Sequence, residues 1–534
     1  MSDVNRCMRQ AVQQEAITTA AIDVRSTSER LRTVTARVGV TRMKTDSRTS
    51  RTTTASVPRP PTLRCVEDPL GRASARDVRP AARRRNLVVV GFDEIVANKY
   101  LPCIREAIEA GHVDSYSVID LESERSTIEE RLQGVALKPR EVVYLPGSDA
   151  ATQQTQPELI GAALRQLRLP ELPMKVYIAT EVRAHEAYLR YCVENGIDSL
   201  VEKPVLAPVV GGRFAPSRIT EVMQELIAQA GRTGAKHSVM TLSRYHRIYN
   251  GELLRSLEER VRDWQAPVTS FHLRAAGGVW NLQHEYESRD DHPYRYGYGM
   301  VMHGAYHYID LAVQCLSLNK LVFPDRRFRL EVSSFGAFPT DQHLRIPNPA
   351  ARRFEDGHSR WPDAESLAHS FGETDITTTF RLVDVESERT LTVGTLSFEQ
   401  TTPSIRSWQD LPDDVYNKNG RTSSVDLEAQ LSTLYSAHVH CYDVPRGQNA
   451  DKIDAFARLT TRANASLLPE ERYTSVKMFD GLFHSDSNRQ LMENWLRGTE
   501  NRSLLSAHLL PMKVTEALAT SLLTPGRAVE IAEF

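Results

Sequence analysis

Short apolar runs alternate with segments of helix length between residues 86 and 206, and this alternation limits the fold more than any other feature of the chain. The first run, residues 87–90, ends at Gly91 and is followed by a helical pattern that begins near Lys99. Further runs follow at residues 116–120, 141–145, 175–180 and 197–201. Strands separated by crossover segments predict a parallel sheet with right-handed connections. We therefore expect a Rossmann-type dinucleotide-binding domain over residues 86–206, with its ligand at the carboxyl ends of the strands.

Longer runs of alternating polar and apolar residues replace this pattern from residue 207 onward. The runs are residues 268–273, 374–383 and 390–398. Alternation of this length is typical of an antiparallel sheet with helices on one face. The sequence thus predicts a second α/β domain over residues 207–534, built on a large, mostly antiparallel, open sheet.

The first 85 residues differ from the rest in charge. They carry 17 Arg and 1 Lys against 8 acidic residues, a net charge of +10, whereas residues 86–534 carry −12. Because this basic segment is rich in Thr and Ser and has few aromatic residues, we expect a disordered tail over residues 1–85. A nucleic-acid-binding arm and an organelle transit peptide are alternatives, which the interspersed acids weaken. A true start of translation near Met43 is a further explanation.

The overall composition narrows the class of protein. The chain has 66 Lys and Arg against 68 Asp and Glu, so its charge of −2 creates no strong field for nucleic acid or a membrane surface. No apolar stretch is long enough to span a bilayer or to form the core of a secretory signal. The six cysteines contain no Cys-x-x-Cys pair, which argues against a disulfide framework and a zinc ribbon. We expect a cytoplasmic protein.

Two polar positions follow predicted strands. Asp120 lies 29 residues after Gly91, where a dinucleotide-binding unit places an acid that accepts hydrogen bonds from ribose hydroxyls. Lys203, between Glu202 and Pro204, follows the fifth run, at an edge where side chains point into the ligand crevice. A solvated turn acid and a surface lysine are the ordinary alternatives.

A third polar pattern is formed by His303, His307 and Asp310. Their spacing of i, i+4 and i+7 predicts that they share one face of a helix, directed toward a cleft. Two histidines four residues apart can bind a metal, but the glutamate of the metalloprotease motif is absent, and we predict no metal site.

Four stretches of the chain form a specific set through their order and spacing. They are Lys99-Tyr100-Leu101-Pro102 within residues 91–104; residues 178–180 with His185, Gly196 and Glu202-Lys203-Pro204; residues 303–310; and residues 506–529. In these stretches, the chain from about residue 86 to its end resembles the glucose-fructose oxidoreductase and inositol dehydrogenase family, often written Gfo/Idh/MocA.

The resemblance implies a nicotinamide-dependent oxidoreductase. It implies a Rossmann domain for NAD or NADP, followed by an α/β domain whose open sheet supports the substrate and a homo-oligomer interface. The substrates implied are sugars, polyols, sugar nucleotides or related cyclic alcohols. Lys203 would orient the reacting hydroxyl and stabilise alkoxide charge, and His307 would take the hydroxyl proton as the hydride leaves.

The resemblance also implies a cofactor site. Thr180, His185 and Glu202 would line its nicotinamide and ribose side, together with Lys203. Asp120, with no adjacent Arg, favours NAD over NADP, because a 2′-phosphate would meet a like charge.

The chain departs from the family pattern at three places. The glycine-rich loop, residues 91–96, keeps only Gly91 and places Asp93 where an anion should bind. Two unit charges about 4 Å apart repel by about 4 kcal/mol at an effective dielectric near 20. His303 replaces a family aspartate that would assist His307, and residues 137–173 form an insertion. These departures keep open a non-catalytic ligand-binding or regulatory protein, and also a non-redox enzyme that recycles bound NAD.

Overall fold

The computed structural model describes residues 84–147, 154–289, 292–346, 370–404, 423–445 and 453–534. The predicted tail lies outside these residues except for Arg84 and Arg85.

The described strands are, in chain order, β1 (Arg85–Val90), β2 (Val113–Leu121), β3 (Val142–Leu145), β4 (Met174–Ile178), β5 (Asp198–Glu202), β6 (Val209–Val210), β7 (Arg213–Phe214), β8 (His237–Met240), β9 (Val268–Ala276), β10 (Phe328–Ala337), β11 (Asp375–Asp384), β12 (Arg389–Glu399), β13 (Ser423–Leu431), β14 (Tyr435–Pro445), β15 (Ile453–Ala463), β16 (Thr474–Phe479) and β17 (Val529–Ile531).

The described α-helices are α1 (Leu101–Glu109), α2 (Arg125–Gly134), α3 (Pro157–Gln166), α4 (Val182–Glu194), α5 (Ile219–Thr233), α6 (Arg255–Trp264), α7 (Gln283–Ser288), α8 (Tyr306–Ser317), α9 (Asn319–Val322), α10 (Gln342–Arg345), α11 (His484–Arg497) and α12 (Leu509–Leu523). Among them, no helix is long and apolar enough to cross a membrane.

A parallel sheet of six strands forms the first half of the architecture. Its order is β3-β2-β1-β4-β5-β8, the arrangement of a doubly wound dinucleotide-binding fold, so the predicted Rossmann sheet is confirmed. The sixth strand, β8, pairs in parallel with β5 and comes from beyond residue 206. The sheet therefore includes residues on both sides of the predicted boundary at residues 206 and 207. The division of the chain into domains at this boundary stays a prediction. The inserted segment supplies β3, which pairs with β2 at one edge of the sheet.

Helices cover both faces of this sheet because its strands are apolar on both sides. Val88 and Val90 of β1 pack with side chains of α3, α4 and α5 on one face. Leu87 and Val89 point the other way and pack with α1 and α11. Since α11 comes from near the carboxyl end of the chain, the last part of the sequence helps to build the core of the first sheet.

A sheet of nine strands forms the second half. Its order is β16-β15-β14-β13-β9-β12-β11-β10-β17, and among these described strands only the β9–β12 pair is parallel, so the predicted, mostly antiparallel, open sheet is confirmed. Alternate residues of β13, such as Leu427 and Ala429, are buried, and α8 and α12 pack on the same side. The period of two in the sequence follows from this one-sided burial.

Candidate active site

The loop after β1 is held tightly against the next strands. Gly91 has a φ of 85°, and a Cβ added there would lie 2.9 Å from the carbonyl oxygen of Ala179. The backbone N–H of Phe92 donates to Asp120 Oδ2 at 2.8 Å. The remaining glycine of the fingerprint thus allows a close approach to the residue after β4, and Asp120 fixes the position of the loop.

Asp93 caps the helical segment that follows this loop. Its Oδ1 accepts the Val96 N–H at 2.8 Å, one of the amides that a phosphate binds at such a helix start. The side chain is exposed at the surface, but protein atoms crowd around it. This desolvation raises the pKa of Asp93 to about 6, and the carboxylate of Glu202 adds to the rise. Near neutral pH the site where a pyrophosphate is expected therefore carries its own negative charge.

Asp120 lies at the end of β2, as predicted. Its oxygens accept the N–H groups of Phe92 and Leu121, each at 2.8 Å, and desolvation raises its pKa. The carboxylate is only partly buried, and each oxygen keeps a lone pair for another donor. Asp120 can therefore hold the loop and accept a ribose hydroxyl at the same time.

Thr180 follows β4, and His185 lies near the start of α4. The Thr180 hydroxyl is buried and has no hydrogen-bond partner among the described residues. His185 is almost fully buried, with Nε2 2.9 Å from the Thr180 carbonyl oxygen and Nδ1 3.0 Å from that of Pro204. Burial lowers the pKa of His185. His185 thus links the loop after β4 to the loop after β5.

Glu202 and Lys203 lie at the carboxyl end of β5. Tyr177 donates to Glu202 Oε1 at 2.7 Å, and Lys203 Nζ donates to the carbonyl oxygen of His303 at 2.8 Å. Lys203 therefore connects the edge of the parallel sheet to the segment that precedes α8.

The prediction that His303 shares a helix face with His307 is wrong. α8 begins at Tyr306, and His303 ends a short 3₁₀ turn with φ −99° and ψ −94°. Its ring is buried near His292 and Tyr294, and its Nε2 has no hydrogen-bond partner among the described residues. Burial lowers the pKa of His303 well below its ordinary value, so the ring is neutral.

His307 lies in the first turn of α8. Its Nδ1 accepts the Leu242 N–H at 3.3 Å and lies 3.2 Å from Thr241 Oγ1. Desolvation lowers the pKa of His307 well below its ordinary value, and the ammonium groups of Lys203 and Lys99 lower it further. The ammonium group of Lys203 therefore influences the imidazole of His307, while the shared catalytic role of the two residues stays a prediction.

Asp310 is fully buried and does not face a cleft, contrary to the predicted helix face. Arg244 Nη2 donates to its Oδ1 at 2.6 Å, and Arg244 Nε donates to its Oδ2 at 2.9 Å. Sequence reasoning missed Arg244 and also the two residues that contact His307, Thr241 and Leu242. The available signal was their position directly after the apolar strand β8, because parallel strands present their carboxyl ends at one edge of the sheet.

The crevice suits the two ends of a nicotinamide dinucleotide. Asp120 keeps acceptor capacity for the adenosine ribose, and the buried Thr180 hydroxyl, after β4, has no hydrogen-bond partner among the residues that the structure describes. The Asp93 carboxylate accepts the Val96 N–H at the start of the helical segment after β1. The residues therefore fit NAD at its ends, whereas its pyrophosphate must share the helix start with Asp93.

Comparison with known proteins supports this architecture at the level of fold. No protein-family model and no curated protein sequence matches the chain. Among solved structures, the apo form of levoglucosan dehydrogenase matches with a TM-score of 0.52 and 11% identity over 85% of this chain and 100% of its own. An oxidoreductase domain protein from Kribbella flavida matches with a TM-score of 0.50 and 13% identity over 84% of this chain and 100% of its own.

A third structure is the WlbA dehydrogenase from Bordetella pertussis in complex with NADH and UDP-GlcNAcA, with a TM-score of 0.48 and 13% identity over 84% of this chain and 99% of its own. The levoglucosan dehydrogenase and Kribbella flavida structures confirm the fold that the resemblance to Gfo/Idh/MocA oxidoreductases predicts.

Proposed function

From the fold that the chain shares with oxidoreductases of the Gfo/Idh/MocA type, we propose that it is an NAD-dependent oxidoreductase. It transfers a hydride between the nicotinamide and an alcohol or ketone carbon of a sugar, polyol, sugar nucleotide or related cyclic alcohol. The observation that carries this proposal is that Lys203 follows β5 and that His307 contacts Leu242, which follows the neighbouring parallel strand β8, so both side chains belong to the carboxyl edge of one sheet. Lys203 bonds to the backbone of His303, and its ammonium group lowers the pKa of His307.

The side chains of this edge have complementary roles in the reaction. Bound NAD supplies the carbon that accepts or returns the hydride. The Lys203 ammonium group stabilises the negative charge that develops on the substrate oxygen. His307 acts on the same oxygen, for which the resemblance predicts the role of proton acceptor.

The proposed cofactor site uses residues on both sides of β1. Asp120 binds the adenosine ribose and, as an acid, favours NAD over NADP. Gly91, Thr180 and Glu202 lie along the remaining path of the dinucleotide, and His185 supports the loops that carry them.

Turnover measurements test this function. NADH absorbance is followed with a panel of polyols, sugars and sugar nucleotides for the wild type, Lys203→Ala and His307→Ala. Each substitution should lower kcat by about 10²-fold or more, because acid-base or electrostatic assistance is lost. Lys138→Ala is the matched control, since Lys138 is exposed and, within the part of the chain that the structure describes, donates to the backbone carbonyls of Leu132 and Gln133 in α2. Turnover that persists undiminished in His307→Ala would contradict its catalytic role.

A second candidate function is a ligand-binding or regulatory protein without dinucleotide turnover. The Asp93 carboxylate on the Val96 N–H favours it, because this charge opposes a bound pyrophosphate. Saturable NADH fluorescence transfer supports the enzyme. Its absence, together with calorimetric binding of a sugar in the absence of NAD, supports the regulator.

The setting we propose is cytoplasmic carbohydrate or secondary metabolism, with a homo-oligomer formed through the nine-stranded sheet. Phe335 on β10 and Val393 on β12 are 58% and 51% exposed on the face away from the helices, which supports a partner there. Size-exclusion chromatography with light scattering tests this assembly, and a monomer at micromolar concentration would contradict it.

A further inference from the structure

The segment after β8 surrounds one edge of the His307 ring. Thr241 Oγ1 and the Leu242 N–H lie 3.2 Å and 3.3 Å from Nδ1. Both groups come from the start of a 3₁₀ turn, Leu242–Arg244, which lies more than sixty residues before His307 in the sequence. Which nitrogen of the His307 ring carries hydrogen therefore depends on how this turn is held against α8.

The contact with Leu242 defines which nitrogen of the neutral ring carries hydrogen. A backbone N–H can only donate, so Nδ1 must accept and cannot carry a hydrogen in this arrangement. The lowered pKa keeps the ring neutral, and its one hydrogen then lies on Nε2. In this tautomer His307 presents a donor at Nε2.

Arg244 holds the turn against α8. Its Nε and Nη2 donate to the two oxygens of Asp310, which lies three residues after His307 on the same helix. Ser243 also donates to Asp310 Oδ2. Arg244 is 4% exposed and Asp310 is completely buried, so water cannot take over either role.

The same guanidinium group also reaches the carboxyl-terminal part of the chain. Arg244 Nη2 donates to the Ala507 carbonyl oxygen at 3.0 Å. Tyr306, next to His307, forms a hydrogen bond of 2.9 Å with the Nδ1 atom of His508. Arg244 thus connects the turn to Asp310 of α8 and to Ala507. The planar guanidinium group has several N–H donors in a fixed arrangement, which allows it to make both contacts at once.

We propose that Arg244 is a positioning residue that, through Asp310, keeps the Leu242 N–H on Nδ1 and so holds His307 in the tautomer with hydrogen on Nε2. The catalytic meaning of this tautomer rests on the proposed function. In this state Nε2 donates a hydrogen bond to the substrate oxygen, and His307 can act there as the proton acceptor of the proposed reaction only after the hydrogen on Nε2 has moved elsewhere. The tautomer itself is a property of the protein without its ligands.

Nitrogen NMR of the full chain labelled with ¹⁵N-histidine tests the proposal without cofactor or substrate. His307→Gln identifies the His307 signals by their loss. In the wild type at neutral pH, we expect an unprotonated Nδ1 and a protonated Nε2. Arg244→Lys keeps the charge but loses the paired geometry, so the tautomers should mix and the pKa of His307 should move toward its ordinary value.

Asn319→Ala is the matched control at the other end of the same helix. Asn319 follows α8, is completely buried, accepts the Val268 N–H at 2.8 Å and donates to Thr392 at 3.1 Å. Its loss should loosen the protein without changing the His307 tautomer. Asp310→Asn provides a second test in case Arg244→Lys does not fold. It keeps the side-chain volume but removes the charge that holds Arg244, so the tautomers of His307 should mix in this variant as well.

Two results would overturn the proposal. A hydrogen on Nδ1 in the wild type would restore the role of proton acceptor at Nε2. A tautomer that is unchanged in both Arg244→Lys and Asp310→Asn would remove the positioning role. Absence of NADH turnover together with the expected nitrogen spectra would instead contradict the proposed function and leave the positioning intact.

Discussion

At the start of the helical segment after β1, a single side chain decides how an anion can bind. Asp93 accepts the Val96 N–H, and Glu202 lies close enough to raise its pKa further. A pyrophosphate needs the same amide and carries the same sign of charge. In the proposed cofactor site, Asp93 would therefore weaken dinucleotide binding, and its protonation would make the affinity depend on pH.

Replacing Asp93 by Asn should tighten NADH binding near neutral pH by roughly tenfold, about 1.4 kcal/mol, because a full negative charge is removed. In the wild type, affinity should rise as the pH falls through about 6, since the carboxylate becomes neutral there. The variant should lose this dependence. Fluorescence titrations from pH 5 to 8 measure both effects, with Glu94→Gln, an exposed neighbour, as the control. Equal affinities at every pH would show that Asp93 is remote from the phosphates.

Replacing Asp120 by Ala should weaken NAD binding by about 1 to 3 kcal/mol, because the ribose loses an acceptor. It also leaves the Phe92 and Leu121 N–H groups without their acceptor, so the loop should loosen. Asp120→Asn keeps one acceptor oxygen and should retain more of the affinity. Parallel titrations with NAD and NADP check the preference, and an unchanged ratio of the two affinities would exclude Asp120 from the ribose site.

At the scale of elements, a buried ion pair joins α8 to the 3₁₀ turn that follows β8. Arg244 and Asp310 are 5% and 0% exposed in their side chains. An ion pair of this kind is costly to break from one side, because the remaining charge stays buried without its partner. Packing of the two elements therefore depends on both residues.

Arg244→Ala should lower the free energy of unfolding by about 3 to 5 kcal/mol, as expected when one partner of a buried pair is removed. Arg326→Ala is the matched control, because Arg326 pairs with Asp384 at 2.7 Å but is 48% exposed. The control should lose about 1 kcal/mol or less. Urea denaturation of the two variants gives the comparison, and equal losses would mean that the Arg244 pair is not important for stability.

At the scale of the whole molecule, the described structure draws its cores from residues 86 to 534. Helix α11, from near the carboxyl end of the chain, packs on the parallel sheet, and β17 forms an edge strand of the nine-stranded sheet. The composition of the first 80 residues offers few side chains for either core.

A variant without residues 1–80 should therefore keep the melting temperature and ligand affinity of the full chain. Differential scanning calorimetry compares the two proteins. A variant that instead lacks residues 527–534 should melt earlier, because β17 pairs with β10 at the edge of the large sheet. A fall of more than a few degrees for the first variant would show that these residues pack on the rest of the protein.

The sequence by itself determined both sheets and the position of several site residues. Strand and helix periods are local, since burial on one or two faces selects apolar residues at fixed spacing. Hence the runs at residues 87–90 and 390–398 predicted strands in sheets of the correct type. Asp120 and Lys203 were placed correctly at strand ends for the same reason.

Only the tertiary structure decided how the site is held together. His303 has the spacing of a helix face, but a 3₁₀ turn before α8 removes it from that face. Asp310 faces Arg244, which lies 66 residues earlier, and the Asp93 carboxylate turns onto the Val96 N–H. These outcomes depend on turn geometry and on contacts between residues far apart in the chain. No local period in the sequence records such contacts, because their free energy arises only when the separate elements pack together.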